Sequence, residues 1–298
     1  MIKVNKCIRV LSTIIVLLLG VITVCGVCSF QTGHSYQVAN QYGENIRIWG
    51  AGIYAHDSYF KAPIFIGSDF TILLVVVPLM IIAFSKLKSK PALESYIQCF
   101  SISSLLLYYS ASLAFGVTYN RLHLAYIALF GGSFFLTGLL FVRLYGMYCK
   151  QQNLCTFLIP KGLKMFLIIA GLSLFVAWLP DIISSLVKDT PLDLIEVYTT
   201  EITYVLDMGI ISPLMFLTLY LMNKNDFIGY ILLRMLLKIC AVIGIMLPLQ
   251  AVAQILADIS IPFPALITKV MIFVLLALFA VIFEYRLKHS TKWGVVEI

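Results

Sequence analysis

The sequence predicts an all-α membrane protein: a bundle of eight transmembrane helices, both termini cytoplasmic, with a structured, aromatic-rich first outer loop. Three observations carry that expectation. The 298 residues are 61% hydrophobic and only 12% charged, with a mean hydropathy of +0.99, whereas a soluble domain carries roughly 25% charged residues. Apolar stretches recur at lengths suited to crossing a bilayer, where about 20 helical residues span the hydrocarbon core. Lysines and arginines fall in alternate connections, which is the positive-inside pattern.

In order, the expected spans are Ile8–Ser29, Phe70–Phe84, Tyr96–Gly116, His123–Tyr145, Met165–Ile183, Ile202–Met222, Ile228–Leu249 and Ala265–Phe283. Lys3, Lys6 and Arg9 precede the first, and Lys86, Lys88 and Lys90 follow the second. Arg143, Lys150, Lys161 and Lys164 lie between the fourth and fifth, and Lys224 lies between the sixth and seventh. Arg286, Lys288 and Lys292 follow the eighth. The net charge of +7 therefore reads as a topology signal, and nucleic acid is not an expected partner. A basic start followed by an apolar run also fits a cleaved signal peptide. The run is long for that, and no small-residue cleavage site follows, so an uncleaved first helix is expected. Cys25 and Cys28 form a C-x-x-C spacing that reads as small residues packing at a helix end, with a redox pair as the alternative.

The chain is expected to be one transmembrane domain, 1–298, without a convincing internal repeat. Residues 30–69 are the longest outer connection and hold Tyr36, Tyr42, Trp49, Tyr54, Tyr59, Phe60 and Phe65. Tyr and Trp suit the headgroup level, where ring and polar tip are both satisfied. The loop either lies on the outer interface or caps the bundle. Residues 181–201 carry five acids against Lys188, a solvated apron or a means of concentrating cations. Small-residue faces at Gly131, Gly132 and Ser133, and at Ser110/Ala114 and Ser112/Gly116, allow close helix packing in lipid.

Polar groups inside the membrane are costly and therefore informative, at about 2.5–3.5 kcal/mol or more for a charge near the centre. Asp207 lies about a turn and a half inside the sixth helix, with Thr203 and Tyr204 on its face. Pro213 follows, and its ring opposes the carbonyl of Gly209. A carboxylate beside a kinked helix is the local pattern of a membrane binding site; an ordinary proline kink is the alternative. Lys269, at similar depth in the eighth helix, is the expected counter-charge, either as a structural lock or as a releasable partner. Asp69 at the mouth of the second helix, Arg121 and His123 at the fourth, and Gln250 and Gln254 in the seventh lie on the same side. Glu201 stands at the sixth helix's entrance. Arg234 and Lys238 stand apart on the inner half of the seventh helix, where snorkelling to lipid headgroups is expected. Glu284 is a candidate partner for Arg234. No catalytic signature or metal-ligand set appears, and no cofactor is expected.

The segment Tyr198-Thr-Thr-Glu-Ile-Thr-Tyr-Val-Leu-Asp-Met-Gly-Ile-Ile-Ser-Pro and the later Asp226-Phe-Ile-Gly-Tyr-Ile-Leu resemble an uncharacterised family of bacterial polytopic membrane proteins. Weaker similarity covers Trp49-Gly-Ala-Gly-Ile-Tyr through Gly67-Ser-Asp69, and Tyr119-Asn120. The resemblance covers about a quarter of the chain. It implies a bacterial inner membrane, carries no activity across, and adds weight to Glu201, Asp207, Asp69 and Asn120. Arg234 and Lys238 depart from its apolar pattern. Three functions stay open. One is binding or transport of a small polar or cationic ligand from the outer face, through Asp207, Glu201 and Lys269. The second is an enzyme acting on lipid or isoprenoid, with Asp207, Asp69 and His123 as acid–base groups. The third is a non-catalytic membrane partner, assembly or immunity factor. The lipid bilayer is the one partner common to all three, and protein partners are not legible.

Overall fold

The computed structural model describes residues 2–150, 160–260, 264 and 270–290, without the side chains of 2–4, 150 and 288–290. Its architecture is all-α apart from one small hairpin. Helix α1 covers Ile2–Val27, α2 Ala62–Ser89, α3 Leu93–Gly116 and α4 His123–Lys150. Helix α5 covers Lys161–Lys188, α6 Ile202–Asn223, α7 Phe227–Leu256 and α8 Ile272–Ser290. Seven of these, α1 to α7, are long and apolar enough to cross a membrane. Helices α3 and α7 form the centre, with 72% and 67% of their apolar windows buried against 33% for α1.

Two helices change pitch on the way through. Helix α2 passes through a π turn at Ile72–Val76, and α6 through one at Asp207–Ile211. Each turn stops just short of a proline, Pro78 or Pro213. Proline lacks an N–H and its ring crowds the carbonyl four residues back, and a widened turn relieves both problems. The second span is longer than the hydropathy pattern suggested. It starts at Ala62 with Pro63 in its first turn, so Asp69 is not at the helix mouth. It lies two turns inside and is fully buried.

Between α1 and α2 the chain forms a cap. Strands β1 (Tyr36–Ala39) and β2 (Asn45–Ile48) pair antiparallel. Asn40 closes their turn, its Oδ1 accepting the Tyr42 and Glu44 amides, each at 2.9 Å. Gly43 takes the left-handed φ of 82° that the reversal needs. Trp49 and Tyr54 are fully buried beneath the hairpin. The Trp49 indole donates to the Ser29 carbonyl at 2.9 Å, and the Tyr59 hydroxyl to the Ala257 carbonyl at 3.1 Å. The cap is thereby tied to the ends of both α1 and α7.

Candidate functional site

Among the described residues, a cavity of about 480 Å³ opens within the cap-proximal half of the bundle. Its wall is mostly apolar, with Leu105, Leu174, Met215, Ile239, Met246 and Leu276 prominent. Of the polar exceptions, Asp207, Thr203, Tyr204, Tyr108, Trp178 and Ser112 come from α3, α5 and α6, Ser68, Gln250 and Gln254 from α2 and α7, and Lys61 and Glu201 stand just before α2 and α6.

Asp207 is buried and opens the π turn of α6. Tyr108 of α3 donates its hydroxyl to Oδ1 at 2.8 Å, and the Trp178 indole of α5 donates to Oδ2 at 2.9 Å. Each oxygen keeps a second lone pair, since a carboxylate accepts about four hydrogen bonds. No ion pair holds Asp207 among the described residues. Trp178 also stacks on Tyr204, ring centroids 4.9 Å apart. An acidic group held by an indole N–H and a phenol hydroxyl, with no cation on it among the described residues, suits an organic cation by charge.

At the entrance, Lys61 pairs with Glu201, and its ammonium lies 4.2 Å from the centre of the Tyr198 ring. Glu201 immediately precedes α6, just as Lys61 precedes α2. Gln250 donates to Ser68 Oγ at 2.7 Å and Gln254 to the Phe60 carbonyl at 3.0 Å, so both line the cavity with their amides engaged. Above them, Asp57 of the cap is fully buried. Its Oδ1 accepts the Thr118 amide and the Tyr198 hydroxyl, each at 3.0 Å, and its Oδ2 has no partner among the described residues. Burial pushes its pKa up to about 7, against weaker lowering by those hydrogen bonds. Burial also raises the pKa of Glu196, which accepts from Ser58.

No family model, curated protein or solved structure matches this chain. The site is therefore read from its own chemistry. Of the residues singled out in the sequence, Asp207, Glu201, Thr203, Tyr204, Gln250 and Gln254 share the cavity wall. Asp69 is not among the lining residues. It sits behind Tyr109, whose hydroxyl donates to it, and also accepts from Tyr54 at 2.5 Å. Its carboxylate presses against Gly26 so closely that a Cβ there would overlap it. Asp69 is thus a tie between α1, α2, α3 and the cap.

Asn120 is also structural. Its Oδ1 accepts the Leu122 amide at 2.8 Å and its Nδ2 reaches Tyr126 at 3.3 Å, which sets the entry into α4. Arg121 is exposed and His123 rests beside Tyr119, ring centroids 5.4 Å apart; neither lines the cavity. Lys269 lies outside the described residues.

Headgroup contact is the wrong expectation for Arg234. Its side chain is wholly buried and forks between two carboxylates, Nη2 to Glu94 at 2.6 Å and Nε to Glu284 at 2.7 Å. Tyr230 lies 2.7 Å from Nη1, and Gln98 donates to both acids at 2.9 and 3.2 Å. The guanidinium turns inward because bidentate carboxylates compensate its lost hydration. Lys238 is half-buried one turn on. Sequence reasoning missed Tyr108, Trp178, Glu94 and Gln98. No three metal-ligating side chains cluster among the described residues.

Proposed function

We propose that this chain is a multi-pass protein of a bacterial cytoplasmic membrane that binds an amphiphilic organic cation from the extracytoplasmic side. In this reading α1 to α8 cross the membrane eight times, both termini are cytoplasmic, and the cap faces outward. The alternating basic loops support that sidedness. The observation that carries the ligand class is Asp207. It is a buried carboxylate held by two neutral donors, with free lone pairs, on the wall of a mostly apolar cavity. An ammonium head would lie between Asp207, Trp178 and Tyr204, while its alkyl chain would lie along Leu105, Met215 and Leu276. Lys61–Glu201 would control entry.

The enzyme reading has less support, because Asp69 and His123 stand away from the cavity that holds Asp207. The test is calorimetry on the protein in nanodiscs. Dodecyltrimethylammonium is expected to bind saturably, dodecyl sulfate not to, and Asp207→Asn to weaken the cation at least tenfold. Equal affinity for both detergents, or no effect of Asp207→Asn, would leave a non-catalytic partner role as the better reading.

A further inference from the structure

The sequence shows no convincing repeat, yet the packing does. Among the described residues, the helices in contact within α1–α4 are α1–α2, α1–α4, α2–α3 and α3–α4; within α5–α8 they are α5–α6, α5–α8, α6–α7 and α7–α8. Adding four to each number of the first set gives the second. Between the halves, α3 meets α7, α2 meets α7, and α3 meets α6. That set also maps onto itself under the same exchange.

Local details follow the same correspondence. The π turn Ile72–Val76 is followed by Val77 and then Pro78-Leu79-Met80, and the π turn Asp207–Ile211 by Ser212 and then Pro213-Leu214-Met215. Met80 and Met215 are both fully buried. Superposing the turns pairs Gly67 with Ile202, and superposing the starts of α3 and α7 pairs Gly116 with Gln250. These are the residues at the two close crossings. Gly67 lies against the Gln250 backbone, and Gly116 against the Ile202 side chain. A twofold exchange of the halves turns one contact into the other. With four helices in each half, the halves enter the membrane from the same side, so the axis runs along the membrane normal.

The charges are distributed across this same interface. Near the cap, Lys61 of the first half pairs with Glu201 of the second, each immediately before its pitch-changing helix. At the opposite end, Glu94 and Gln98 of the first half clasp Arg234 and Glu284 of the second. The cavity lies between the two clasps. Its floor reaches Ile239, five residues from Arg234 along α7, which is roughly 7 Å at 1.5 Å per residue.

We propose that the chain is an alternating-access transporter of two parallel four-helix repeats, whose inter-repeat clasps Lys61–Glu201 and Glu94–Arg234–Glu284 act as the outer and inner gates. The amphiphilic cation rests on the reading of Asp207 above; the gating does not. In this structure both clasps are formed, and the inner gate is sealed, since Arg234 has no exposed side-chain surface. Rocking the halves about an axis in the membrane plane, with the close crossings as pivot, would part Glu94 from Arg234 and hydrate both, while drawing the cap-side ends of the halves together. Water then replaces the lost ion pair, so the opened inner gate carries no bare buried charge. The π turns are where each repeat can bend without losing its helix, as such turns often mark functional sites.

The test is pulsed electron spin distance measurement on the full chain in nanodiscs, without ligand, with nitroxides on encoded keto side chains so that the native cysteines remain. One pair sits at Lys90 and Asn225, beside the inner gate; the other sits at Arg121 and Val187, on the cap side. All four positions are exposed. Wild type is expected to show one dominant distance for each pair, any second state staying at or below about a tenth of the population. Arg234→Gln and Glu94→Gln are each expected to add a longer inner distance and a matching shorter outer one. Glu94→Gln leaves Glu284 on Arg234, so it carries the test if Arg234→Gln does not fold. Lys61→Met with Glu201→Gln is expected to favour separation at the cap side. Folded variants with unchanged distances, or inner and outer distances that lengthen together, would overturn the gating. In proteoliposomes, Glu94→Gln should change the rate of dodecyltrimethylammonium uptake several-fold while its binding is retained. Shifting distances without binding would remove the ligand and keep the gates; binding without shifting distances would do the reverse.

Discussion

Asp57→Asn should flatten the pH response of the cap. Asp57 is fully buried, with Oδ1 bound to Thr118 and Tyr198 and Oδ2 without a partner among the described residues. Its pKa rises from an ordinary 3.8 to about 7. Between those values the folded cap holds a proton that the opened cap has released. Stability therefore falls as pH rises through that window and levels off above it. A shift of about 3 units at about 1.4 kcal/mol each sets an upper bound of about 4 kcal/mol. Asparagine removes the titration and keeps the Oδ1 acceptor, but its amide leaves a buried donor unmatched at about 1–3 kcal/mol. The substitution should thus stabilise the cap near pH 8 by on the order of 1–3 kcal/mol and change it little below about pH 4, where the protonated Asp57 also buries an unmatched donor at Oδ2. Hydrogen exchange of residues 36–59, corrected for intrinsic rates, reads the difference. Glu196, also raised by burial, pushes in the same direction, so a residual slope is expected. Wild-type protection equal at pH 5 and pH 8, or an undiminished slope in Asp57→Asn, would refute the reasoning.

Other outcomes follow from the same contacts. Gly26→Ala forces a methyl group into the Asp69 carboxylate, which Tyr54 and Tyr109 hold in place; unfolding in detergent should show a loss of about 1–3 kcal/mol. Arg234→Met strands two carboxylates and should cost about 3–5 kcal/mol, whereas adding Glu94→Gln and Glu284→Gln should recover most of it. A triple variant no better than the single one would mean the cluster is not a compensated charge group. Asp207→Asn should leave the melting temperature unchanged or raised, because the amide removes a buried charge while Tyr108 and Trp178 stay in place. A large loss of stability would make Asp207 a structural tie like Asp69.

Seven helices long and apolar enough to cross a membrane, and the cavity-facing stretch of α6, were legible in the sequence, because each is a local property. Burying apolar side chains needs only their spacing, and Asp207, Thr203 and Tyr204 share a face by helical geometry alone. What was lost is non-local. Tyr108 and Trp178 reach Asp207 from α3 and α5, and nothing in their own neighbourhoods marks them. Asp69 was misplaced because the hydropathy run begins at Phe70, while the helix begins at Ala62 behind a proline start signal. Arg234 was read as snorkelling because Glu94 stood outside the apolar run of α3, two residues before its expected start. The repeat escaped notice because its halves share packing positions and one Pro-Leu-Met, with almost no other side chains in common.

The central claim is that the cavity beside Asp207 is a binding site. Its most direct measurement is an electron cryomicroscopy map of the protein in nanodiscs with dodecyltrimethylammonium. The account predicts density inside the bundle, its head between Asp207, Trp178 and Tyr204 and its tail running towards Met215 and Leu276. A cavity closed by its own side chains, or detergent density confined to the lipid-facing surface, would contradict it.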